Sequence, residues 1–266
     1  MSRIFFQMIV VLAISCGTSH ANLQLITLTT ERNETLQAVF GDVDSSDRRP
    51  AVIFSHGTDV RRDGYEGAKR QGGMNVDHYV EALNSQGYIA IAPLRTLRAR
   101  ETTLDRGRLV GTPEQWDEVI AYSIRAVEAA RRYLSERSNV NSKAIVAMGY
   151  SEGGNVSLWS AIETPGYRAV VLLAPAAMPT SKNYRLRAAA SEDRLQRIAA
   201  PVYLAVANND FEGIRVVSRE ALIPNLQKVN PAFRFRADYP GDHNWFLRVR
   251  PEFWNEVTAF LRQHLP

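Results

Sequence analysis

Two kinds of apolar pattern alternate along this chain. Near its start, Leu23 to Thr29 and residues 35–40 alternate apolar and polar residues, as the strands of a half-buried hairpin do. Further along, short and mostly apolar runs are typical of central strands that are covered on both faces of a parallel sheet. These runs, together with a last predicted strand, are residues 51–54, 88–92, 143–148, 169–173, 201–207 and 233–237.

Between these runs, apolar residues recur at the spacing of amphipathic helices. Asn75 is a plausible cap for one helix, and Thr112 to Gln115 forms a capping box, with proline at the first helical position, before a long one. Further helices are predicted at residues 155–162, near 191–197, at 216–229 and from Pro251. Strands that alternate with helices after an initial hairpin predict one α/β domain. Its sheet is mostly parallel, with an antiparallel N-terminal hairpin and helices on both faces.

The first residues differ from the rest of the chain. Residues 4–14 are almost unbroken apolar after Arg3, and Ser19 and Ala21 are small residues at the two positions that a signal peptidase reads. We therefore expect residues 1–21 to be a signal peptide and residues 22–266 to form the domain of a secreted or periplasmic protein. The apolar run is well short of the ~20 residues that span a bilayer. The residues around Cys16 resemble a bacterial lipoprotein box, which leaves a lipid anchor open as an alternative.

Composition and charge narrow the class of protein. A chain with 45% apolar and 23% charged residues is typical of a soluble globular protein, and its single cysteine excludes a disulfide within the domain. A formal net charge of +4 is small for this length and does not predict a nucleic-acid partner. Arginines are nevertheless dense in two connections, where they predict either a solvated loop surface or a site for an anionic substrate. They are Arg61 and Arg62 in one connection, and Arg95, Arg98, Arg100, Arg106 and Arg108 in the other.

A strand, a sharp turn and a helix meet at the segment Gly-Tyr-Ser-Glu-Gly-Gly, residues 149–154. On such a turn the hydroxyl of Ser151 is lifted above the sheet, and the flanking glycines let the strand and helix backbones approach closely. A serine hydroxyl is a poor nucleophile at neutral pH. It needs a base within hydrogen-bonding reach, and the base needs a third group that fixes its tautomer.

His243 is the candidate base, because it lies in the loop after the last predicted strand, at the edge of the sheet where Ser151 is also presented. A histidine that is merely packed there is the structural alternative. Asp210, three residues after a predicted strand, is the favoured acid. Glu212 is the second candidate, whereas Asp242 points away from the histidine if its loop is extended. The order Ser151, Asp210, His243 is the one that this motif requires on an α/β sheet.

An oxyanion that forms during acyl transfer requires two preorganised backbone donors. One candidate is the amide of Glu152, which directly follows the serine. The other is the amide of Thr58, which follows the first central strand and the glycine of the segment Ser-His-Gly-Thr. A simple turn is the alternative interpretation of this second segment.

From its first strand to its last helix the chain resembles the α/β-hydrolase superfamily, and in length and layout the branch related to dienelactone hydrolases. The resemblance rests on residues 55–58 and 149–154, on Asn-Asn-Asp at 208–210 and on Gly-Asp-His-Asn-Trp at 241–245. It implies an eight-stranded sheet, hydrolysis through an acyl-enzyme, and no metal or organic cofactor. Dienelactone hydrolases proper carry a cysteine nucleophile, so Ser151 favours a serine esterase, a lipase-like enzyme or a peptidase.

We therefore expect a serine hydrolase that cleaves small-molecule carboxylic esters with Ser151, His243 and Asp210. A small exopeptidase-like hydrolase that acts on amides is the main alternative, and a non-catalytic binding protein on the same fold is another. The motifs of zinc proteases, paired-cysteine sites, phosphate-binding loops and dinucleotide-binding folds are absent from the sequence.

Overall fold

The structure is a computed structural model, and it describes residues 23–96, 103–105, 108–110, 112–176 and 184–265. The predicted signal peptide, residues 1–21, and the lipid anchor at Cys16 lie outside these ranges and stay predictions, as does the secreted or periplasmic location. The arginines at 98, 100 and 106 also lie outside them. None of the described helices combines the length and the apolar character that a membrane crossing requires.

Within these ranges the chain forms ten strands and ten α-helices, numbered in chain order. The strands are β1 (Leu23–Thr29), β2 (Thr35–Gly41), β3 (Arg49–Ser55), β4 (Ile89–Pro93), β5 (Thr103–Asp105), β6 (Arg108–Val110), β7 (Val140–Tyr150), β8 (Ala169–Leu173), β9 (Val202–Asn209) and β10 (Arg234–Asp242). The helices are α1 (Thr58–Asp63), α2 (Tyr65–Arg70), α3 (Val76–Asn84), α4 (Pro113–Ser135), α5 (Glu152–Glu163), α6 (Tyr184–Ala189), α7 (Glu192–Leu195), α8 (Glu212–Val217), α9 (Ile223–Val229) and α10 (Pro251–His264).

Eight of the described strands form one sheet, in the order β1-β2-β4-β3-β7-β8-β9-β10. The pairs β1–β2 and β2–β4 are antiparallel, and all other neighbours in the sheet are parallel. This confirms the predicted α/β fold with its antiparallel N-terminal hairpin. Because β3, β7, β8, β9 and β10 run in the same direction, the residues that follow them gather at one edge of the sheet.

Two apolar cores cover the two faces of the sheet, and successive residues of a central strand enter different cores. In β3, Ala51 and Ile53 belong to the core beneath α4 to α9, whereas Val52 and Phe54 belong to the core beneath α3 and α10. Burial on both faces is why the central strands are nearly continuous apolar runs in the sequence. The sheet, packed on both faces, therefore fixes the positions from which the loops at its carboxyl edge begin.

The helix starts follow the predicted caps. The side chain of Asn75 accepts a hydrogen bond from the amide of Asp77 at the start of α3, and Thr112 and Gln115 form the predicted capping box at the start of α4.

Some elements were not predicted. The glycine-rich connection after β3 contains α1 and α2, each of six residues, which is too short for an apolar repeat to be recognised. A two-stranded hairpin of β5 and β6 occupies part of the arginine-rich connection. The predicted helix at 216–229 begins earlier, at Glu212, and passes through one wider turn at Ser218–Leu222.

Candidate active site

Ser151 lies on a turn between β7 and α5 whose backbone few serines adopt. Its φ is 56° and its ψ is −123°, in a region that L residues occupy only when neighbours hold them there. Its amide donates to the carbonyl of Leu173 at 2.9 Å, and its carbonyl accepts from the amide of Ala176, also at 2.9 Å. The turn is thus fixed by hydrogen bonds to β8 and to the residues that follow it.

The glycines on both sides of Ser151 allow backbones to come together. A Cβ atom on Gly153 would lie 1.9 Å from the carbonyl oxygen of Ser55, and one on Gly149 would lie 2.2 Å from the carbonyl oxygen of Gly153. These contacts are with backbone atoms, which have no room to move. Only glycine therefore allows the first turn of α5 to pack against the ends of β3 and β7.

Ser151, His243 and Asp210 form a continuous chain of hydrogen bonds. Nε2 of His243 is 2.8 Å from the hydroxyl oxygen of Ser151, and Nδ1 of His243 is 2.8 Å from Oδ1 of Asp210. With the carboxylate as acceptor at Nδ1, that nitrogen carries the proton, and Nε2 is left to accept from the serine. All three residues are buried, with exposed fractions of 8% or less. The arrangement can remove the serine proton and stabilise the resulting imidazolium.

The two other acid candidates do not reach the histidine. Glu212 is exposed at the start of α8. The carboxylate of Asp242 accepts a hydrogen bond from the amide of Asn244 at 2.9 Å. It thereby caps the short helical turn His243–Leu247. Asp210 also accepts from the amide of Phe211 at 2.8 Å, which orients its carboxylate towards the imidazole.

Two aromatic side chains contact His243. The hydroxyl of Tyr150 donates to the carbonyl oxygen of His243 at 3.0 Å, and burial raises the pKa of Tyr150 well above its usual value, which keeps that donor protonated. The ring of Phe211 lies 4.7 Å from the imidazole, and 59% of Phe211 is exposed. The histidine is thus held through its own backbone on one side and bordered by an exposed apolar ring.

Thr58 and Glu152, the two predicted amide donors, each occupy the first position of a helix, α1 and α5 respectively. An amide at the start of a helix has no acceptor within that helix and is available to an outside group. The side chains of the two residues meet: the hydroxyl of Thr58 donates to Oε2 of Glu152 at 3.1 Å. The structure therefore brings these two residues together at the turn that carries Ser151.

The carboxylate of Glu152 is the centre of a buried cluster of charges. Arg61 donates to it through Nε and Nη2, at 3.2 and 3.1 Å, and Arg95 donates through Nη1 at 3.1 Å. The side chains of all three residues are at most 2% exposed. Burial alone would raise the pKa of the Glu152 carboxyl, but the charges of Arg61 and Arg95 outweigh it and lower the pKa to about 2.

His56 belongs to the same cluster through its neighbours. Its Nε2 accepts from the amide of Arg95 at 2.8 Å, so Nδ1 is the protonated nitrogen and donates to the carbonyl of Gly57, also at 2.8 Å. Burial, followed by the charge of Arg95, holds the pKa of His56 well below its usual value. The imidazole is therefore a neutral link between two loops.

The expectation that the arginine-rich connections form a solvated surface or an anion site is wrong for Arg61 and Arg95. Both are buried, and both donate to Glu152. Arg61 also lies over the ring of Trp116 in α4, at 4.8 Å. The sequence signal was present in the clustering of arginines, but the acid that pairs with them is 91 and 57 residues away along the chain.

Phe211 has no comparable sequence signal, because one apolar residue in a loop forms no pattern.

Among the residues that the structure describes, no group of three or more His, Cys, Asp or Glu side chains lies close enough to share a metal ion.

Comparison with known proteins agrees with the fold. The model of the dienelactone hydrolase family matches residues 68–265, which is 198 of the 266 positions. A search of the curated proteins gives no significant match.

Similar folds occur in solved structures whose sequences are distant. The esterase Pf2001 of Pyrococcus furiosus is 19% identical, with a TM-score of 0.65 over 92% of this chain and 94% of its own. A dienelactone hydrolase-like promiscuous phosphotriesterase from metagenomic libraries is 15% identical, with a TM-score of 0.66 over 92% and 99% of the two chains. Dipeptidyl peptidase 4 of Porphyromonas gingivalis is 14% identical, with a TM-score of 0.65, and the match covers 92% of this chain but 36% of that one.

Proposed function

The chain belongs to the dienelactone hydrolase family of hydrolases, and from this premise we propose that it is a serine hydrolase that cleaves carboxylic esters of small molecules through an acyl-enzyme. The observation that supports this most is the pair of 2.8 Å hydrogen bonds from Ser151 through His243 to Asp210. Every member of that chain is buried, so water does not compete for the bonds.

In the first half of the proposed reaction, Nε2 of His243 takes the proton of Ser151 as the hydroxyl oxygen attacks the carbonyl carbon of the ester. Asp210 holds the imidazole in the tautomer that leaves Nε2 free to accept, and it stabilises the imidazolium once the proton has moved. The carbonyl oxygen becomes an oxyanion, which accepts hydrogen bonds from the amides of Thr58 and Glu152.

The tetrahedral intermediate then collapses: the carbonyl re-forms, the bond to the alcohol oxygen breaks, and the imidazolium of His243 gives its proton to the departing alkoxide. The alcohol leaves, and Ser151 carries the acyl group. Water then gives a proton to His243 while its oxygen attacks the acyl-enzyme, and the proton returns to Ser151 as the carboxylic acid is released. The nucleophile is a hydroxyl and not a thiol, and a hydroxyl depends more strongly than a thiol on the base beside it.

Replacement of Ser151 by alanine tests the proposal. We expect turnover of short p-nitrophenyl esters to fall by about a thousandfold or more, because the nucleophile is lost while the fold is retained. The assay measures initial rates at matched protein concentration, with circular dichroism as the check on folding. Turnover at the parental rate in Ser151→Ala would contradict the proposal.

Ser160→Ala is the matched control, because Ser160 is a buried serine of the same helix whose hydroxyl does not contact the triad. Its rate should equal that of the parent. An aminoacyl p-nitroanilide assayed beside the esters addresses the amide-cleaving alternative. A higher kcat/KM for the anilide than for every ester would replace the ester proposal with the peptidase one.

A further inference from the structure

Residue 152 contributes two different groups to the site. Its amide stands at the start of α5, directly after Ser151, and its side chain ends in the carboxylate at the centre of the charge cluster. The proposed mechanism uses the amide alone. The carboxylate is 1% exposed, so it does not meet substrate, and it accepts hydrogen bonds from Thr58, Arg61 and Arg95.

The cluster joins three segments that the sheet by itself does not fix to one another. Thr58 and Arg61 lie in α1, Arg95 follows β4, and Glu152 begins α5. Burying three charged groups is costly, and in proteins the replacement of such a cluster by well-packed apolar side chains of similar volume is often neutral or stabilising. Stability is therefore not a sufficient reason for the cluster, and the geometry that it imposes is the feature to consider.

The geometry that it imposes concerns the amide of Thr58. The Thr58 hydroxyl is tied to Glu152, and the carbonyl of Gly57 is tied to Nδ1 of His56. That carbonyl and the Thr58 amide belong to one planar peptide group, and in a trans peptide the N–H points away from the C=O. Both sides of the Thr58 amide are thus anchored, one through Glu152 and the other through His56 and Arg95.

We propose that the Glu152 carboxylate, clamped by Arg61 and Arg95, is a positioning group that sets the distance between the two oxyanion donors. It holds the Thr58 amide at a fixed distance and orientation relative to the Glu152 amide before substrate binds. This inference rests on the proposed function. Donors stabilise an oxyanion only when they are already aligned, and a displacement of about 1 Å can lower a rate by about a hundredfold.

The Thr58 hydroxyl gives the sharpest test, because replacing Glu152 itself removes the carboxylate that two buried arginines share and threatens the fold. Thr58→Val has the same shape, retains the amide and loses only the bond to Glu152. We expect kcat to fall by about tenfold or more and KM to stay within about twofold. The inhibition constant of a trifluoromethyl ketone, whose adduct with Ser151 carries an oxyanion, should rise by the same factor as kcat falls.

Two further variants separate positioning from stability. Thr58→Ser restores the hydroxyl and should recover most of the lost kcat. Thr30→Val removes a threonine–glutamate bond of the same kind, 2.9 Å long, from the turn between β1 and β2, together with the two bonds that the Thr30 hydroxyl accepts from the amides of Arg32 and Glu34. It should lower the unfolding temperature at least as much as Thr58→Val does, while kcat and ketone affinity stay parental.

The result that overturns the inference is a Thr58→Val variant with parental kcat and parental ketone affinity. Equal losses of kcat in Thr58→Val and Thr30→Val would also overturn it, because the loss would then reflect stability. Failure of the proposed function is a different result: the parent protein would not hydrolyse esters, or its Ser151→Ala variant would hydrolyse them equally fast.

Discussion

At the scale of single residues, Ser151 is both the candidate nucleophile and a residue with unfavourable backbone dihedral angles. A non-glycine residue in this region of φ and ψ costs about 1–3 kcal/mol, and the surrounding structure must supply that free energy. The hydrogen bonds of Ser151 to Leu173 and Ala176 do so in part. The serine is thereby held in place before any substrate arrives.

Phe211 is the residue whose exposure most needs an explanation, because it is a large apolar ring left in water beside His243. We expect Phe211→Ala to lower kcat/KM for aromatic or long-chain esters by about tenfold, mainly through KM. Covering about 50 Å² of apolar ring is worth about 1.3 kcal/mol. Phe235→Ala is the matched control, since Phe235 is 43% exposed on β10 and does not contact the triad. Equal losses of kcat/KM in both variants would contradict a role for Phe211 in substrate binding.

At the scale of elements, the site depends on how closely α5 approaches the ends of β3 and β7. The two backbones come closest at Gly153, where a Cβ atom would lie 1.9 Å from the carbonyl oxygen of Ser55 and 2.5 Å from that of His56. A side chain there would push the first turn of α5, and Ser151 with it, away from the sheet.

We therefore expect Gly153→Ala to lower the free energy of unfolding by about 3 kcal/mol or more, because the added methyl group meets rigid backbone. Urea unfolding measures the change. Gly67→Ala in α2 is the control: its methyl group would meet only the Cβ of Asp63 at 3.3 Å, so it should change stability by about 1 kcal/mol or less. Similar costs at the two positions would show that the close approach at Gly153 is not decisive.

The elements that could be predicted from the sequence are those with a long enough pattern. Apolar runs located the sheet strands, and β1 and β8 begin and end at the predicted residues. The capping residues Asn75 and Thr112 located two helix starts. The six-residue helices α1 and α2 could not be predicted. Helices this short are stabilised by contacts with distant parts of the chain, and they contain no apolar repeat that could be recognised in the sequence.

At the scale of the whole molecule, we expect the charge cluster to make stability depend on pH. The folded pKa of Glu152, about 2, is below its ordinary value of 4.5, so the ionised form is favoured by folding. Its contribution is complete above the ordinary value and is lost as the pH falls towards the folded one. We expect the free energy of unfolding to fall between pH about 5 and about 2, and urea titrations across that range measure it.

Glu152→Gln should remove this part of the pH dependence and cost about 3 kcal/mol at neutral pH, because it leaves the arginines with one acceptor fewer. Glu163→Gln, at the exposed end of the same helix, should leave both the pH dependence and the stability unchanged. If the Glu152 variant lost stability in parallel with the parent as the pH fell, the cluster would not be the cause.

Only the part of the candidate site that a local sequence motif encodes could be predicted. The turn at Ser151 is contiguous in the sequence, and the order of the acid and base follows from the order of the strands. The cluster behind it is not contiguous, and arginines of loops are usually exposed, so their burial around Glu152 had no sequence pattern.

The double use of residue 152 also restricts how this sequence can change. Any residue except proline would supply the amide, but the side chain of Glu152 is tied to Arg61 and Arg95, which lie in separate connections. Replacing Glu152 alone removes the carboxylate that the two buried arginines share, whereas replacing all three residues with apolar ones leaves no buried charge among them. Engineers who vary the neighbour of the nucleophile to alter substrate preference should therefore vary positions 61, 95 and 152 together, since one-at-a-time libraries pass through the least stable combinations.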